Sequence, residues 1–226
     1  SRAFRRDYAD VHDMHRTLLS AFPEAPEGVP ARQHAGVLWR LDGDGRDRVL
    51  LVQSARHPDW TRLPAGYASG RVQVKSLQPA LAAVAPGRRL AFRLVANPTR
   101  STPPVGEPGK RGRGTRRPLH RPEEQVAWLI RQGERLGFAV PSASDGEPDV
   151  AASPLPPLVG RKADERRGGR SGDRLKITVQ PVCFDGRLIV TDPDAFGSAL
   201  REGIGRAKAY GCGLLSLAPD RPRSAG

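Results

Sequence analysis

Only two cysteines, Cys183 and Cys212, and a single methionine, Met14, occur in 226 residues. Two thiols are too few for a disulfide scaffold, so a reduced, cytoplasmic setting is the expectation. No run approaches the roughly 20 apolar residues of a membrane span, which excludes an integral helical membrane protein and any membrane partner of that kind. The opening Ser1-Arg2-Ala3-Phe4-Arg5-Arg6 has no apolar stretch, so no secretory signal is expected. It also lacks an initiator methionine, and the expectation is that something precedes Ser1 in the natural protein. Gly-x-Ser-x-Gly, paired-carboxylate and Cys-His arrangements are missing, which leaves the common nucleophile motifs without support. Acidic residues are in short supply as well: 24 Asp and Glu stand against 37 Lys and Arg, for a net charge of +13.

That surplus is uneven. Residues 1–86 hold 12 basic and 9 acidic side chains, whereas residues 87–226 hold 25 and 15. Arginine dominates, and its planar fork matches phosphate geometry. A pI near 11 with the charge gathered in one half is the footprint of a polyanion binder. Its bland counterpart is a compositional rise in arginine with no function attached.

Apolar periodicity orders the chain. Val11, Met14, Leu18 and Ala21/Phe22 predict a helix over 8–22, capped by Asp7 and stopped by Pro23. Residues 35–41 and 48–54 read as a strand pair joined by a polar turn, and 70–77 as a third strand. Residues 79–86 read as a linker. Leu90, Phe92, Leu94 and Ala96 alternate with Arg89, Ala91, Arg93 and Val95 in a strand over 88–97. Residues 98–122 read as a basic loop, 123–136 as a helix with Val126, Leu129/Ile130 and Leu136 inward, 141–157 as irregular and 162–174 as a second basic loop. Leu175, Ile177 and Val179 form a strand that turns at Phe184-Asp185-Gly186 into 188–191. Asp192-Pro193 opens a helix to about Glu202, and 213–218 is a last strand.

This order predicts an α+β fold of two tandem ferredoxin-like (RRM-like) domains, 1–82 and 87–226, the first lacking its opening strand. Sheets of this kind with an open face are common RNA-binding platforms.

Two segments carry candidate chemistry. The first is the run from Gly203 through Gly205, Arg206, Lys208, Tyr210 and Gly211 to Gly213. Its glycines permit either close approach to a phosphate or a tight helix-to-strand connection packed on the core. It is not a P-loop, because no Gly-Lys-Ser/Thr follows. The second is His12 and His15, three apart on the first helix, with Tyr8 a turn earlier on the same stripe. Histidine can exchange a proton at neutral pH; the bland reading is two solvated histidines. Asp10-Val11-His12-Asp13 also invites a metal-dependent phosphohydrolase reading, but His34, His57 and His120 lie in loops without helical partners, so no metal ligand is assigned.

Several blocks together carry a family resemblance. They are Met14-His15-Arg16 with Phe22-Pro23, Leu50-Leu51-Val52-Gln53-Ser54, Phe92-Arg93-Leu94-Val95-Ala96-Asn97-Pro98, Gln125 to Leu129, and the glycine-rich run continuing into Leu214-Leu215-Ser216-Leu217-Ala218-Pro219. In that order and spacing the chain resembles the CasE family, the CRISPR repeat-processing endoribonucleases of subtype I-E systems. The resemblance implies two ferredoxin-like domains and cleavage of precursor CRISPR RNA at the base of the repeat stem-loop. It implies 2′,3′-cyclic phosphate and 5′-hydroxyl ends, no metal or other cofactor, and retention of the mature guide RNA within Cascade beside its other subunits. The family's catalytic histidine matches His15. The family has a tyrosine three residues earlier, where this chain has His12, the second catalytic candidate. The family's first strand falls just before residue 1.

Candidates for holding RNA are Arg89 and Arg93 on the strand face, and Lys110, Arg111, Arg113, Arg116 and Arg117 in the first basic loop. Arg161, Lys162, Arg166, Arg167, Arg170, Arg174 and Lys176 in the second, and Arg206 and Lys208 of the glycine-rich run, complete the set. A non-catalytic RNA-binding scaffold of the same fold is the alternative.

Overall fold

The computed structural model of the chain describes residues 1–43, 48–68, 70, 72–102, 115–163 and 174–220. The first half opens with two helices rather than one, α1 (Arg2–Ala9) and α2 (Val11–Leu19). Asp10 breaks them with extended backbone, and its carboxylate accepts the His12 N–H at 3.0 Å. Where the helix is interrupted, the first N–H groups of the new helix lose their carbonyl partners, and the Asp10 carboxylate replaces one of them. Asp7, expected as the cap, is instead fully buried and accepts from the Tyr67 hydroxyl at 2.9 Å and from Arg6.

Val11, Met14 and Leu18 turn inward as their spacing predicts. They pack with Ala21, Phe22, Ala35, Val37 and Trp39. This core lies beside a two-stranded antiparallel hairpin, β1 (Leu38–Asp42) and β2 (Val49–Gln53), with a short helix α3 (Ala31–Ala35) leading into it. The third strand expected over 70–77 does not form among the described residues. Val72 and Val74 are 52% and 75% exposed, so their alternation has no face to bury. The expected linker contains a short helix α4 (Gln78–Ala82), and Leu81 and Val84 pack against the core of the second half.

That core sits under an antiparallel sheet of β3 (Arg89–Ala96), β6 (Phe138–Ala139), β7 (Val150–Pro154), β10 (Val182–Val190) and β11 (Leu215–Pro219). The strand order is β11-β3-β10-β6, with β7 also on β10. Helices α5 (Pro122–Leu136) and α6 (Pro193–Glu202) cover one face. Leu90, Phe92, Leu94 and Ala96 point there, as alternation predicts, and Asp192 caps α6 through the N–H groups of Asp194 and Ala195. The buried side of α5 is centred on Gln125, Trp128, Leu129 and Gly133. Val126, Ile130 and Leu136 are only half-buried. Leu136 still packs on the edge of the core, and Gly133 admits Phe138, which a Cβ there would obstruct.

Three irregular stretches turn out to be ordered at their bases. Residues 98–122 contain the hairpin β4 (Thr99–Thr102) with β5 (Thr115–Pro118), residues 141–157 contain β7, and the second basic segment is flanked by β8 (Leu158–Ala163) and β9 (Arg174–Val179). Strands β4, β5, β7 and β8 carry no sustained apolar alternation, so the pattern hides them, whereas β9 is the strand that Leu175, Ile177 and Val179 predict. The turn expected at 184–186 is absent. β10 runs straight through it, paired on both sides. Gly186 is there because a Cβ would overlap the Asp149 carbonyl and Val150.

The halves are joined through β1. Trp39 donates its indole N–H to the Ala209 carbonyl at 3.2 Å. Arg40, only 3% exposed, pairs with Asp42 at 2.6 Å and donates to the Leu214 carbonyl and to Ser216. A buried guanidinium is tolerated only with such a full set of acceptors. Gln53 donates to the Leu200 carbonyl at 2.7 Å.

Candidate active site

The seam between the halves is where the two histidines lie. They sit one turn apart on α2, and the ring of Tyr210 faces both, at 6.3 Å from His12 and 6.4 Å from His15 between ring centroids. Tyr210 ends a short 3-10 turn (Lys208–Tyr210) inside the glycine-rich run. That run is a tight connection from α6 to β11, packed on both halves. Gly211 has φ +79°, and a Cβ would stand 3.1 Å from the Trp39 ring. A Cβ on Gly205, at φ +81°, would stand equally close to Trp128. Gly203 and Gly213 are buried in the same connection. Ala207, at φ 60°, is the one non-glycine residue with positive φ among the described residues. Strain of this kind persists only where surrounding packing over-determines it. Its result here is to bring the Tyr210 ring of the second half against α2 of the first.

His15 is half-buried, and its pKa is lowered to about 4, first by that burial and then by the charges of His12 and Arg32. It is therefore neutral at neutral pH and able to accept a proton. The Tyr210 phenol is pushed above its ordinary pKa by burial and by the Asp10 carboxylate, so it stays protonated. The Nδ1 atoms of His12 and His15 are both buried with no hydrogen-bond partner among the described residues.

One basic hairpin borders this centre, and a second lies along the glycine-rich connection. The first, β8–β9, touches α2 directly. A Cβ on Gly160 would stand 3.2 Å from the His12 Cβ and backbone N, so a side chain there would press the strand and helix apart by a few tenths of an ångström. Next to it, the Arg161 N–H donates to Asp10 Oδ1 at 3.2 Å, and the guanidinium lies 3.7 Å from Oδ2. Arg161 stands directly across from exposed Lys176, and Lys162 across from Leu175. On β4–β5, Arg116 lies opposite Ser101, and Arg117 directly opposite Arg100, which Glu124 approaches at 3.6 Å. Like charges placed face to face destabilise a ladder, and an anion between them reverses the sign.

Arg206 is exposed, and Lys208 is half-buried with a lowered pKa, from burial first and the neighbouring charge of Arg32 second. Arg174 opens β9. Lys110, Arg111, Arg113, Arg166, Arg167 and Arg170 lie outside the described residues.

Other expectations are not brought to this site. Arg93 is held by Asp185 at 2.6 Å, and Arg89 by Asp220 at 3.2 Å. Arg187 joins them through Asp149 and Asp220, so this end of the open sheet face is lined with carboxylates and is no bare cationic platform. Tyr8, placed on the histidine stripe by spacing, lies beyond the helix break, stacked on Phe4 and with the Arg48 guanidinium 4.3 Å from its ring. Burial pushes the Cys183 thiol up to about 11, helped by Asp185, and the Cys212 thiol up to about 12, so both are poor nucleophiles. Among the described residues no three His, Cys, Asp or Glu side chains gather to hold a metal ion.

Sequence reasoning missed Arg32 and the place of Tyr210. Nothing local marks Arg32, which donates to the Val37 carbonyl at 3.3 Å from a helix of five residues. Tyr210 stood in the most unusual segment of the chain, but its proximity to α2 spans nearly the whole sequence.

A family described as CRISPR associated protein matches residues 1–219. The CRISPR-associated endoribonuclease Cse3 of Thermus thermophilus is 40% identical over 221 residues, covering 97% of this chain and 95% of its own length. The CRISPR system Cascade subunit CasE of Escherichia coli is 33% identical over 225 residues, covering 97% and 96%. Thermus thermophilus Cse3 bound to an RNA representing a pre-cleavage complex has a TM-score of 0.70 at 36% identity, covering 97% of this chain and 94% of that one. No helix among the described residues is long and apolar enough to cross a membrane.

Proposed function

The chain belongs to the CRISPR-associated protein family that matches residues 1–219, and from that premise we propose that it is an endoribonuclease that cuts precursor CRISPR RNA within the repeat, at the base of its stem-loop. The observation that carries the proposal is the neutral, half-buried His15 beside His12, bordered by the basic β8–β9 hairpin. The ribose 2′-hydroxyl gives its proton to His15. Its oxygen attacks the adjacent phosphorus, the bond from phosphorus to the 5′-oxygen breaks, and that oxygen takes a proton from His12. The ends are a 2′,3′-cyclic phosphate and a 5′-hydroxyl, and no metal takes part. His15 starts as a weak base, but a bound phosphate beside it favours the imidazolium and moves its pKa toward the range where proton transfer is efficient. Arg161, Lys176 and Arg117 hold the flanking phosphates as preorganised donors.

We read residues 1–82 and 87–226 as tandem ferredoxin-like domains. In the second, support comes from the succession β3, α5, β6/β7, β10, α6, β11 and from β3 lying between the third and last strands of that series. In the first, support is confined to helices packed on the β1–β2 hairpin. The chain retains the mature guide RNA as a Cascade subunit in the cytoplasm, where Cys183 and Cys212 stay reduced. The test is electrophoresis of a labelled repeat hairpin incubated with protein and EDTA. A shorter band with a cyclic phosphate end is expected, and a 2′-deoxy substitution at the scissile nucleotide should abolish it. A shifted but intact band would make the chain a scaffold instead.

A further inference from the structure

Beyond the histidines, on the helix side of the second half, a groove of about 510 Å³ runs between α5, the end of α6, the glycine-rich connection and the β4–β5 hairpin. That is within the usual range of ligand clefts, about 300–1,000 Å³. Arg116, Arg135, Arg206 and Lys208 line it, with Glu202 its one acidic residue. The amides of Asn97 and Gln132 stand in the same walls.

Its cations are connected to the reaction centre. Lys208 on the groove wall and Tyr210, whose ring faces His12 and His15, belong to the same 3-10 turn, so the groove opens one short turn from the histidines. A phosphodiester strand leaving the scissile phosphate by this route meets one cation after another. The shape selects what such a strand can be. An A-form duplex offers phosphates on a stiff, convex surface and keeps its Watson–Crick edges paired. A concave groove with amides in its walls takes a strand whose backbone and base edges are both accessible.

We propose that this groove binds the single-stranded RNA adjoining the repeat stem, on one side of the cleaved bond, by phosphate contacts from Arg116, Arg135, Arg206 and Lys208 and by hydrogen bonds from Asn97 and Gln132. The inference rests on the chain being the repeat-cleaving ribonuclease.

The experiment measures affinity of the full chain and of a Gln132→Ala/Arg135→Gln variant for hairpins with a 2′-deoxy scissile nucleotide, carrying no flank, a 5′ flank or a 3′ flank. For the unsubstituted protein one flank should tighten binding by about 10-fold, the scale of one or two charge-assisted contacts. The variant should lose that gain and bind the flankless hairpin within about 2-fold of the unsubstituted protein. The flank that responds identifies the side. A flank that adds nothing, or an equal loss on all three hairpins, would overturn the proposal. Failure of the ribonuclease reading is seen separately, as intact all-ribose hairpin after incubation with the unsubstituted protein.

Discussion

Two arginine-bearing surfaces of the same chain have opposite electrostatic designs. On the open sheet face, Arg89, Arg93 and Arg187 are each matched by a carboxylate from Asp149, Asp185 or Asp220. On the basic hairpins the cross-strand partner of a cation is another cation, Lys176 for Arg161 and Arg117 for Arg100. The first arrangement is complete within the chain, and exposed pairs of this sort contribute little to stability. In the second, Asp10 lies 3.7 Å from Arg161 and Glu124 3.6 Å from Arg100, and a polyanion bound between the facing cations adds the further negative charge that favours the arrangement. Counting arginines along the sequence does not separate the two, because the difference lies in which residue the register places opposite.

The sharpest way to break the comparison is to remove the reaction centre and leave both surfaces intact. His15→Ala should slow single-turnover cleavage by about 10²–10⁴-fold, the usual contribution of a general acid or base, with RNA affinity little changed. Parallel loss of binding and cleavage would make His15 a recognition residue.

The burial of His15 has a second readout. Its pKa is about 4 in the folded chain against 6.5 in the unfolded one, so the unfolded state takes up the proton first as pH falls. The associated stability is full above pH 6.5, declines between 6.5 and 4, and is spent below 4. At about 1.4 kcal/mol per pKa unit the span is roughly 3 kcal/mol. Urea unfolding at pH 7 and pH 4.5 should show a larger loss for the unsubstituted protein than for His15→Gln; equal losses would place the titration elsewhere.

Tyr210 tests whether the ring or its hydroxyl matters. Tyr210→Ala should lower the cleavage rate by about 10- to 100-fold, because a histidine misplaced by an ångström loses that much. Tyr210→Phe, which keeps the ring against both imidazoles, should recover most of it. A Phe variant as slow as the Ala variant would assign the role to the phenol.

The smallest effect addresses the two surfaces directly. Each phosphate neutralised contributes roughly 0.7–0.9 to the slope of log affinity against log salt. Arg161→Gln with Lys176→Gln should flatten the slope by roughly 1.4–1.8, and Arg89→Gln with Arg93→Gln by less than about 0.5. Equal flattening would erase the distinction between the carboxylate-matched face and the ladder in which cation faces cation.

Much of this was legible beforehand where one local pattern dominated. The helix carrying His12 and His15 follows from Val11, Met14 and Leu18, β3 from its alternation, and α6 from Asp192-Pro193. The misreadings have a common cause. Phe184-Asp185-Gly186 resembles a turn, but Gly186 serves a strand crossing. Val72 and Val74 resemble a strand, but no edge receives them. The arginine-bearing strands β4, β5 and β8 have too few apolar residues to show a period of two.

Composition and local pattern by themselves determined that the chain is an α+β polyanion binder with a candidate histidine pair on its first helix. Tertiary structure alone decided that Tyr210 meets that pair across nearly 200 residues, that Arg32 perturbs it, and that Arg93 faces Asp185 while Arg161 faces Lys176. Burial and pairwise charge depend on distance in space, and periodicity reports only which face of its own element a residue occupies.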